Sequence, residues 1–394
     1  MASAGSGVSP VWERALRAEL ERREQQGLLR QTRFFAGSGR RLVTPEGRTV
    51  VDFSSNDYLG LAGHPALAEA ASRAAREQGT GATASRLVVG GRRTLEELEA
   101  RLAEHKGTEA ALVLGSGFLA NAGVLPALAG REDALFSDRL NHASIVDGCR
   151  LAGAELHRYR HGDPDHLERL LRSSRARRKL IVTDTVFSMD GDTAPLPELV
   201  ELKERYGAAL LVDDAHGAGV FGPHGEGYAH EVGVADRVDL LLGTFSKAYG
   251  AYGAYVAGRA VWIRYLENAC RTLIYSTALP PPVLAAAAAA LALAPTMDAE
   301  RAALRRRAER FRAALAGRGA DTAGSTTQIV PVVVGEPEAA LALSQALEER
   351  GVLAVAVRPP TVPAGSARLR FSLTAAHDDA DIDRALDALA TARP

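Results

Sequence analysis

Short, mostly apolar runs recur through the middle of the chain, separated by stretches long enough for a helix. They lie at residues 110–114, 134–138, 180–183, 209–212 and 238–242. Strands that are buried on both faces of a parallel sheet are continuous apolar runs, and their alternation with helices is typical of parallel pairing. The pattern predicts an α/β fold built on a mainly parallel, buried sheet.

A smaller α/β pattern occupies the end of the chain, after Pro280-Pro281-Pro282 and a long helical stretch rich in alanine and arginine. Apolar runs at 329–334, 352–357 and 368–373 alternate there with a helix predicted over 338–350. Chains of this length usually divide into more than one folding unit. The pattern therefore predicts a second, smaller domain at the carboxyl end.

A charged helix is predicted near the start, from Val11 to Gly27, with Leu16 and Leu20 on one face. The residues before it, Met1 to Gly7, carry neither a basic leader nor an apolar segment, so we expect no secretory signal. The division that we expect is an N-terminal arm and helix at 1–50, a large cofactor-binding domain at 51–285 and a small C-terminal domain at 286–394.

Composition narrows the class of protein. Hydrophobic residues make up 46% and charged residues 24%, and 47 basic against 48 acidic side chains leave a formal charge of -1. Such a balance favours neither a nucleic-acid nor a membrane partner, and we expect no bound metal. Cys149 and Cys270, the only cysteines, cannot form a disulfide framework, which favours a cytoplasmic protein. The longest apolar stretch, 283–294, falls short of the roughly 20 residues of a membrane span and predicts a buried helix.

A lysine and an aspartate follow two of the central apolar runs. Lys247 ends the segment Thr244-Phe245-Ser246-Lys247, and Asp213 begins Asp213-Asp214-Ala215-His216. Ligands of open α/β sheets bind beyond the carboxyl ends of the strands. A lysine amine can bond to an aldehyde, and a carboxylate can keep a pyridine nitrogen protonated. The two segments therefore predict pyridoxal 5'-phosphate (PLP) as the cofactor, although a structural aspartate and a surface lysine are the alternatives for either residue alone.

A glycine-containing turn could hold the phosphate of such a cofactor. Gly115-Ser116-Gly117-Phe118 joins a predicted strand to a helix, where backbone N–H groups bind anions. A dinucleotide-binding fingerprint is rejected, because Ala120 stands where its third glycine is expected.

Several further side chains are candidates whose roles the pattern leaves open. The imidazole of His142 could stack on the pyridine ring, while His216 could bond to the phenolic oxygen of the cofactor or support Asp213. The Ser188 hydroxyl could contact the cofactor or only stabilise its turn. Arginines that could bind a carboxylate in a fork, or form surface ion pairs instead, are Arg358, Arg368 and Arg370.

Taken together, these blocks resemble the α-oxoamine synthases, which are PLP enzymes of the fold-type-I transferase architecture. The resemblance runs from about Trp12 to the carboxyl end. It is carried by residues 53–60 (FSSNDYLG), 186–192 (VFSMDGD) and 212–217 (VDDAHG). The block at 358–365 (RPPTVPAG), which continues into Arg368-Leu369-Arg370, resembles the biotin-pathway branch of the family.

The resemblance assigns roles to individual residues. It implies that Lys247 bonds to the cofactor, that Asp213 pairs with its ring nitrogen and that His142 stacks on the ring. On the phenolic side it implies Ser188 and His216, and at the phosphate end Gly117, Phe118 and Thr244. The remaining roles that it implies are a phosphate contact by Thr277 from the second subunit of a homodimer, carboxylate binding by Asn56 and Arg370 beside His142, and acyl-substrate contacts by Arg30 and Thr361.

The reaction that the resemblance implies is the condensation of L-alanine with a pimeloyl thioester, carried on coenzyme A or a carrier protein, with loss of CO2 and of the thiol. The alternatives are other members of the family, which use glycine or serine with other acyl thioesters, a fold-type-I aminotransferase, and a protein that binds without catalysis. Two departures from the family concern the substrate contacts: Asp184 where glutamate is common, and alanine in the segment 81–86 where glycine or serine is common.

Overall fold

The computed structural model describes residues 9–392, so the segment Met1 to Gly7 lies outside the described residues. The strands are β1 Ala36–Ser38, β2 Arg41–Val43, β3 Thr49–Asp52, β4 Ala110–Leu114, β5 Ala134–Asp138, β6 Glu155–Tyr159, β7 Lys179–Asp184, β8 Ala209–Asp213, β9 Leu240–Thr244, β10 Ala254–Gly258, β11 Ile329–Gly335, β12 Val352–Leu353, β13 Ala356–Val357 and β14 Ala367–Ser372. The α-helices are α1 Pro10–Gln25, α2 Pro65–Gln78, α3 Arg93–His105, α4 Gly117–Leu128, α5 Ala143–Ala152, α6 Pro164–Ser173, α7 Leu196–Arg205, α8 Tyr228–Glu231, α9 Ala260–Ala269, α10 Arg271–Ile274, α11 Pro281–Leu293, α12 Asp298–Ala316, α13 Pro337–Glu349 and α14 Asp379–Thr391.

The central sheet has seven strands in the order β4-β10-β9-β8-β7-β5-β6. Neighbouring strands from β9 to β6 pair in parallel, whereas β10 runs antiparallel to both β4 and β9. The predicted α/β fold with a mainly parallel sheet is confirmed. The five predicted runs coincide with β4, β5, β7, β8 and β9, because strands covered on both faces bury nearly every side chain.

The register of this sheet brings the candidate residues to one edge. Asp184, at the end of β7, lies beside Asp213 at the end of β8, and Asp213 lies beside Leu242 of β9. The chain then continues through Thr244 into the turn that carries Lys247 before it returns as β10. The carboxyl ends of the parallel strands thus form one polar rim, as expected for a ligand site in an open α/β sheet.

Two smaller sheets contain the remaining strands. One has the order β11-β14-β13. The other has the order β1-β2-β3-β12, so it pairs the N-terminal strands with β12 from the C-terminal part of the chain. The single run predicted at 352–357 is wrong, because it divides into β12, which pairs with β3, and β13, which pairs with β14. The chain changes sheets between them, where the Val355 N–H donates to the Ser54 hydroxyl at 3.0 Å and the Ala354 carbonyl accepts from Ser344. The division at 1–50, 51–285 and 286–394 stays a prediction.

The predicted helices are present, but they differ in burial. Helix α11 buries Leu284, Ala287 and Ala290, as expected for the alanine-rich stretch. Helix α1 buries none of its residues, and Leu16 and Leu20 are 58% and 53% exposed. Across residues 9–392 no single helix is long and apolar enough to cross a membrane; only α11 with its 3-10 extension, combined with α12 across a 75° bend, reaches the length and hydropathy of a span.

An aromatic cluster ties the N-terminal strands to the C-terminal sheet. The ring of Phe53 packs edge-on against Phe371 of β14 at a centroid distance of 5.8 Å, and Phe311 of α12 lies 5.1 Å from Phe371. The His377 ring stacks on Phe53 at 4.3 Å and bonds to the Asp52 carbonyl at 2.9 Å. This packing holds the segment that follows β3 against the C-terminal sheet, and the site uses residues from both.

We predict that Gly250→Ala destabilises the fold more than Gly207→Ala. Both glycines have φ +59°, but a Cβ at Gly250 would clash with the backbone of Leu61 and Ala62, whereas a Cβ at Gly207 would meet nothing within 4 Å. The left-handed backbone costs either alanine about 1 kcal/mol, and the clash adds about 2 kcal/mol at Gly250. Urea unfolding of both variants at equal concentration measures the difference, and equal midpoints would contradict it.

Candidate active site

A chain of hydrogen bonds connects Lys247 to the segment that follows β3. The Lys247 Nζ lies 2.8 Å from Nε2 of His216, and Nδ1 of His216 lies 2.6 Å from the Tyr58 hydroxyl. The Tyr58 hydroxyl in turn donates to Oδ1 of the Asn56 side chain at 3.1 Å. Tyr58 is fully buried and His216 is 5% exposed, so the bond between them is shielded from water.

Electrostatics fix the direction of these bonds. Burial lowers the pKa of Lys247 to about 8, against the opposing charges of Asp213 and Asp184. Burial, with a contribution from the Lys247 charge, holds the pKa of His216 well below its usual range, so this imidazole is neutral. A protonated Lys247 therefore donates to Nε2, and Nδ1 carries the proton that is donated to Tyr58. The Lys247 amine loses its proton far more readily than an exposed lysine.

Asp213 is a buried carboxylate with only neutral hydrogen-bond donors. It is 4% exposed, and it accepts from Asn121 Nδ2 at 2.7 Å and from the Ala215 N–H at 3.0 Å. No cationic side chain of residues 9–392 lies within ion-pair distance of it. A buried charge without a counter-charge is costly. A protonated pyridine nitrogen would supply that counter-charge, so this residue fits PLP.

Asp184 lies beside Asp213 but serves a different purpose. Burial and the neighbouring Asp213 charge raise the pKa of Asp184 well above its usual range. Its Oδ2 accepts from the backbone N–H of His142 at 2.7 Å. The aspartate that departs from the family pattern therefore anchors the His142 loop.

The start of α4 offers free backbone donors to an anion. Ser116 caps this helix by accepting from the Leu119 N–H at 3.3 Å, and the N–H groups of Gly117 and Phe118 have no partner within the described chain. A Cβ at Gly117 would lie 4.0 Å from that of Thr244, so the helix start adjoins the end of β9. This cradle fits the phosphate of PLP.

The hydroxyl of Thr244 is already engaged. It donates to the Gly253 carbonyl at 2.7 Å and accepts from the Ser246 N–H at 3.1 Å. The Ser246 side chain is exposed, and its oxygen lies 3.0 Å from that of Thr244. Ser246 therefore joins Thr244 as a candidate for the phosphate end.

His142 and Ser188 lie on loops at the same rim. His142 caps α5, where its Nδ1 accepts from the Ser144 N–H at 3.2 Å, and burial lowers its pKa. The Ser188 carbonyl accepts from Arg370 Nε at 2.5 Å, while its hydroxyl has no hydrogen-bond partner among residues 9–392. Both side chains keep the roles predicted for them as hypotheses.

The three candidate arginines differ in their partners. Arg370 donates to Asn56 at 3.0 Å and to the Ser372 hydroxyl at 2.6 Å, which brings the predicted carboxylate-binding pair together. Arg368 forms a buried ion pair with Asp190, and Arg358 donates to the carbonyls of Gly27 and Leu29. All three arginines are thus engaged by protein partners, and the carboxylate-binding role of Arg370 stays a prediction.

The two predicted acyl contacts also meet, although they are distant in sequence. Arg30 Nη2 donates to the Thr361 hydroxyl at 3.1 Å, and both residues are exposed. Thr277 is different: it is exposed, it pairs through its backbone with Ser85, and it makes no bond to Lys247 or Thr244 within the described chain. Its predicted contact belongs to a second subunit and stays a prediction.

Three buried residues that the sequence analysis did not assign complete the site: Tyr58, Asn121 and Gln328. Tyr58 and Asn121 hold His216 and Asp213, and Gln328 Nε2 donates to the His216 carbonyl at 2.9 Å. Asn121 was detectable, because an asparagine in the apolar helix that follows the glycine turn needs a polar partner. Gln328 follows no such pattern. Within residues 9–392 no group of three or more His, Cys, Asp or Glu side chains is placed to hold a metal ion.

Comparisons with known proteins agree with this geometry. The model of the aminotransferase class I and II family matches residues 48–389. A relative from Geobacter sulfurreducens, described as 8-amino-7-oxononanoate synthase, is 55% identical over 380 residues, which cover 96% of this chain and 97% of that protein.

Two solved structures are similar throughout. Serine palmitoyltransferase from S. paucimobilis, which holds PLP and myriocin, has a TM-score of 0.92 at 31% identity and covers 98% of both chains. The 8-amino-7-oxononanoate synthase of Francisella tularensis has a TM-score of 0.74 at 28% identity and covers 86% of this chain and 96% of its own.

We predict that Asp213→Asn lowers the pKa of Lys247 below its value of about 8 in the cofactor-free protein. The Asp213 charge favours the ammonium form, so neutralising it makes the proton easier to lose. Acetylation of Lys247 followed by mass spectrometry across pH 6 to 10 measures this pKa. Asp165→Asn, an exposed carboxylate at the start of α6, should leave it unchanged, and an unchanged value in both variants would contradict the prediction.

Proposed function

Because this chain belongs to the aminotransferase class I and II family, and within it to the 8-amino-7-oxononanoate synthases, we propose that it condenses L-alanine with a pimeloyl thioester. The products are 8-amino-7-oxononanoate, CO2 and the free thiol, and the reaction is a step of biotin biosynthesis. The chain is thus a PLP-dependent acyltransferase. The observation that supports this most is the buried Asp213 carboxylate facing the same rim as Lys247.

PLP, when bound, supplies an aldehyde for covalent attachment and a ring that withdraws electrons from the amino acid's Cα. In our proposal Lys247 bonds to the aldehyde and Asp213 holds the proton on the ring nitrogen. The N–H groups of Gly117 and Phe118 bind the phosphate with Thr244 and Ser246. His142 covers one face of the ring, and Ser188 and His216 lie on its phenolic side.

The substrates would be held by residues of β14 and of the segment that follows β3. Arg370, oriented by Asn56, binds the carboxylate of alanine in a charge-assisted hydrogen bond. We assign contact with the pimeloyl group to Arg30 and Thr361, whose exposed side chains are joined by a hydrogen bond.

Lys247 would act as the base that takes the Cα proton of alanine. An amine with a pKa of about 8 loses its proton near neutral pH far more readily than an exposed lysine, and His216 lies 2.8 Å from its Nζ. Its Nζ accepts the Cα proton of alanine, and the Cα electron pair then attacks the thioester carbonyl and expels the thiolate. Loss of the former alanine carboxylate as CO2 and return of a proton to Cα complete the balance.

The alternatives within the family are less well supported. The relative that is described as 8-amino-7-oxononanoate synthase is 55% identical, against 31% for the similar serine palmitoyltransferase. The block around Thr361 also resembles the biotin branch. An aminotransferase reaction would consume a keto acid and release no thiol.

The proposal extends to assembly and location. In a homodimer, Thr277 of one subunit would contact the PLP phosphate in the active site of the other subunit. The exposure of Thr277 in the single chain is consistent with this contact. Both cysteines are buried and free in the structure, which suits a cytoplasmic enzyme in a reducing compartment.

We predict that the purified holoenzyme, mixed with L-alanine and pimeloyl-CoA or pimeloyl carrier protein, yields 8-amino-7-oxononanoate and free thiol. Mass spectrometry and a thiol assay measure the two products. Lys247→Ala should abolish turnover while the fold remains, as judged by circular dichroism. Formation of a keto acid without thiol release would contradict the proposed reaction.

We also predict that the two substrate sites can be separated by mutation. Arg30→Gln should raise KM for the thioester on the order of tenfold and leave KM for alanine unchanged, because one charge-assisted hydrogen bond is lost. Arg370→Lys should do the reverse, since an ammonium cannot bind a carboxylate in a fork. Arg306→Gln, an exposed arginine of α12, is the control, and equal effects of Arg30 and Arg370 on both substrates would refute the assignment.

A further inference from the structure

His161 joins two of the loops that carry the site, although it belongs to none of the roles assigned above. It follows β6, where its Nδ1 lies 3.0 Å from Asp138 Oδ1 and its Nε2 lies 2.7 Å from Asp192 Oδ2. Ionised carboxylates only accept hydrogen bonds, so both ring nitrogens must donate. The geometry therefore requires the imidazolium form.

The surroundings of His161 stabilise that form. Burial alone lowers the pKa of His161, but the hydrogen bonds to Asp138 and Asp192 outweigh it and raise the pKa to about 10. The ring meets the face of Phe187 edge-on, at a centroid distance of 4.4 Å. His161 is thus a charged bridge at neutral pH.

Asp138 links this bridge to the His142 loop. It ends β5, and its Oδ1 also accepts from the Leu140 N–H at 2.8 Å. Its Oδ2 accepts from the Gly162 N–H at 3.0 Å. The carboxylate therefore fixes the direction in which the chain leaves β5 towards His142.

Asp192 links the bridge to the turn of residues 186–192. The Phe187 N–H bonds to the Asp192 carbonyl at 3.0 Å within this turn, and the Ser188 carbonyl accepts from Arg370. The turn also contacts the C-terminal side through Gly191, whose carbonyl accepts from the Thr327 hydroxyl at 2.8 Å. Movement at Asp192 would therefore be transmitted to Arg370.

We propose that His161 is a positioning residue for the condensation: its bridge fixes the separation between the His142 loop and the Ser188 turn, and through that turn the place of Arg370. The inference rests on the proposed function, because only there do His142 and Ser188 border the cofactor and Arg370 bind alanine. Without the bridge, two largely desolvated carboxylates would lose a donor and the loops would separate.

The test is His161→Gln in the holoenzyme, because glutamine cannot donate from two opposed nitrogens to two carboxylates. The dissociation constant of PLP and KM for alanine should each rise on the order of tenfold, the loss expected for one charge-assisted hydrogen bond. KM for the thioester should stay within about twofold, because Arg30 and Thr361 do not contact the bridge. The visible circular dichroism of bound PLP should change.

Two further variants make the result specific. His166→Gln is the control: this histidine lies in α6 and accepts only from the Arg160 N–H, at 2.9 Å, so its variant should match the wild type. Asp192→Asn removes one carboxylate of the bridge and should reproduce the pattern predicted for His161→Gln. It therefore provides the test if His161→Gln folds poorly.

Equal changes in KM for both substrates, or unchanged PLP affinity and KM for alanine in both bridge variants, would overturn the inference. A wild-type protein that binds no PLP would instead overturn the proposed function, and the inference with it. The two failures are therefore distinguishable.

Discussion

The site depends on one buried negative charge. Asp213 ends a central strand, where the sheet excludes water, and its donors within the described residues are an amide and a backbone N–H. Such a carboxylate favours a ligand that brings a positive charge, such as a protonated pyridine nitrogen. The Asp213 charge also keeps the pKa of Lys247 from falling further. In our proposal the same carboxylate would hold the proton on the ring nitrogen of PLP.

The rest of the site is held by contacts between distant parts of the chain. Tyr58 and Asn56 come from the segment after β3, which the Phe53 cluster packs against β14. Arg370 comes from β14 itself and reaches the turn at Ser188. The central sheet and the C-terminal sheet therefore meet at two places, the Tyr58–His216 bond and the Ser188 turn.

Much of this arrangement could be predicted from the sequence. The parallel strands are continuous apolar runs, so their positions were evident, and the rule that ligands bind at their carboxyl ends pointed to Asp213 and Lys247. The division of 352–357 was hidden, because both pieces are apolar and only two hydrogen bonds mark the break: the Val355 N–H donates to the Ser54 hydroxyl, and the Ser344 hydroxyl donates to the Ala354 carbonyl. Among the arginines, the sequence could not distinguish Arg370 from Arg368, because only the structure shows that Arg368 forms an ion pair with Asp190.

Lys247 as the cofactor-bearing lysine is the central claim, and mapping the bond between PLP and the protein tests it most directly. The chain has four lysines, of which Lys106 is also buried and also has a pKa lowered to about 8 by burial. Lys106 differs because its ammonium donates to the Glu226 carbonyl and lies over the Tyr255 ring. After borohydride reduction of the holoenzyme and digestion, the account predicts the phosphopyridoxyl group on the peptide that contains Lys247. Its presence on Lys106, Lys179 or Lys203 would contradict the account.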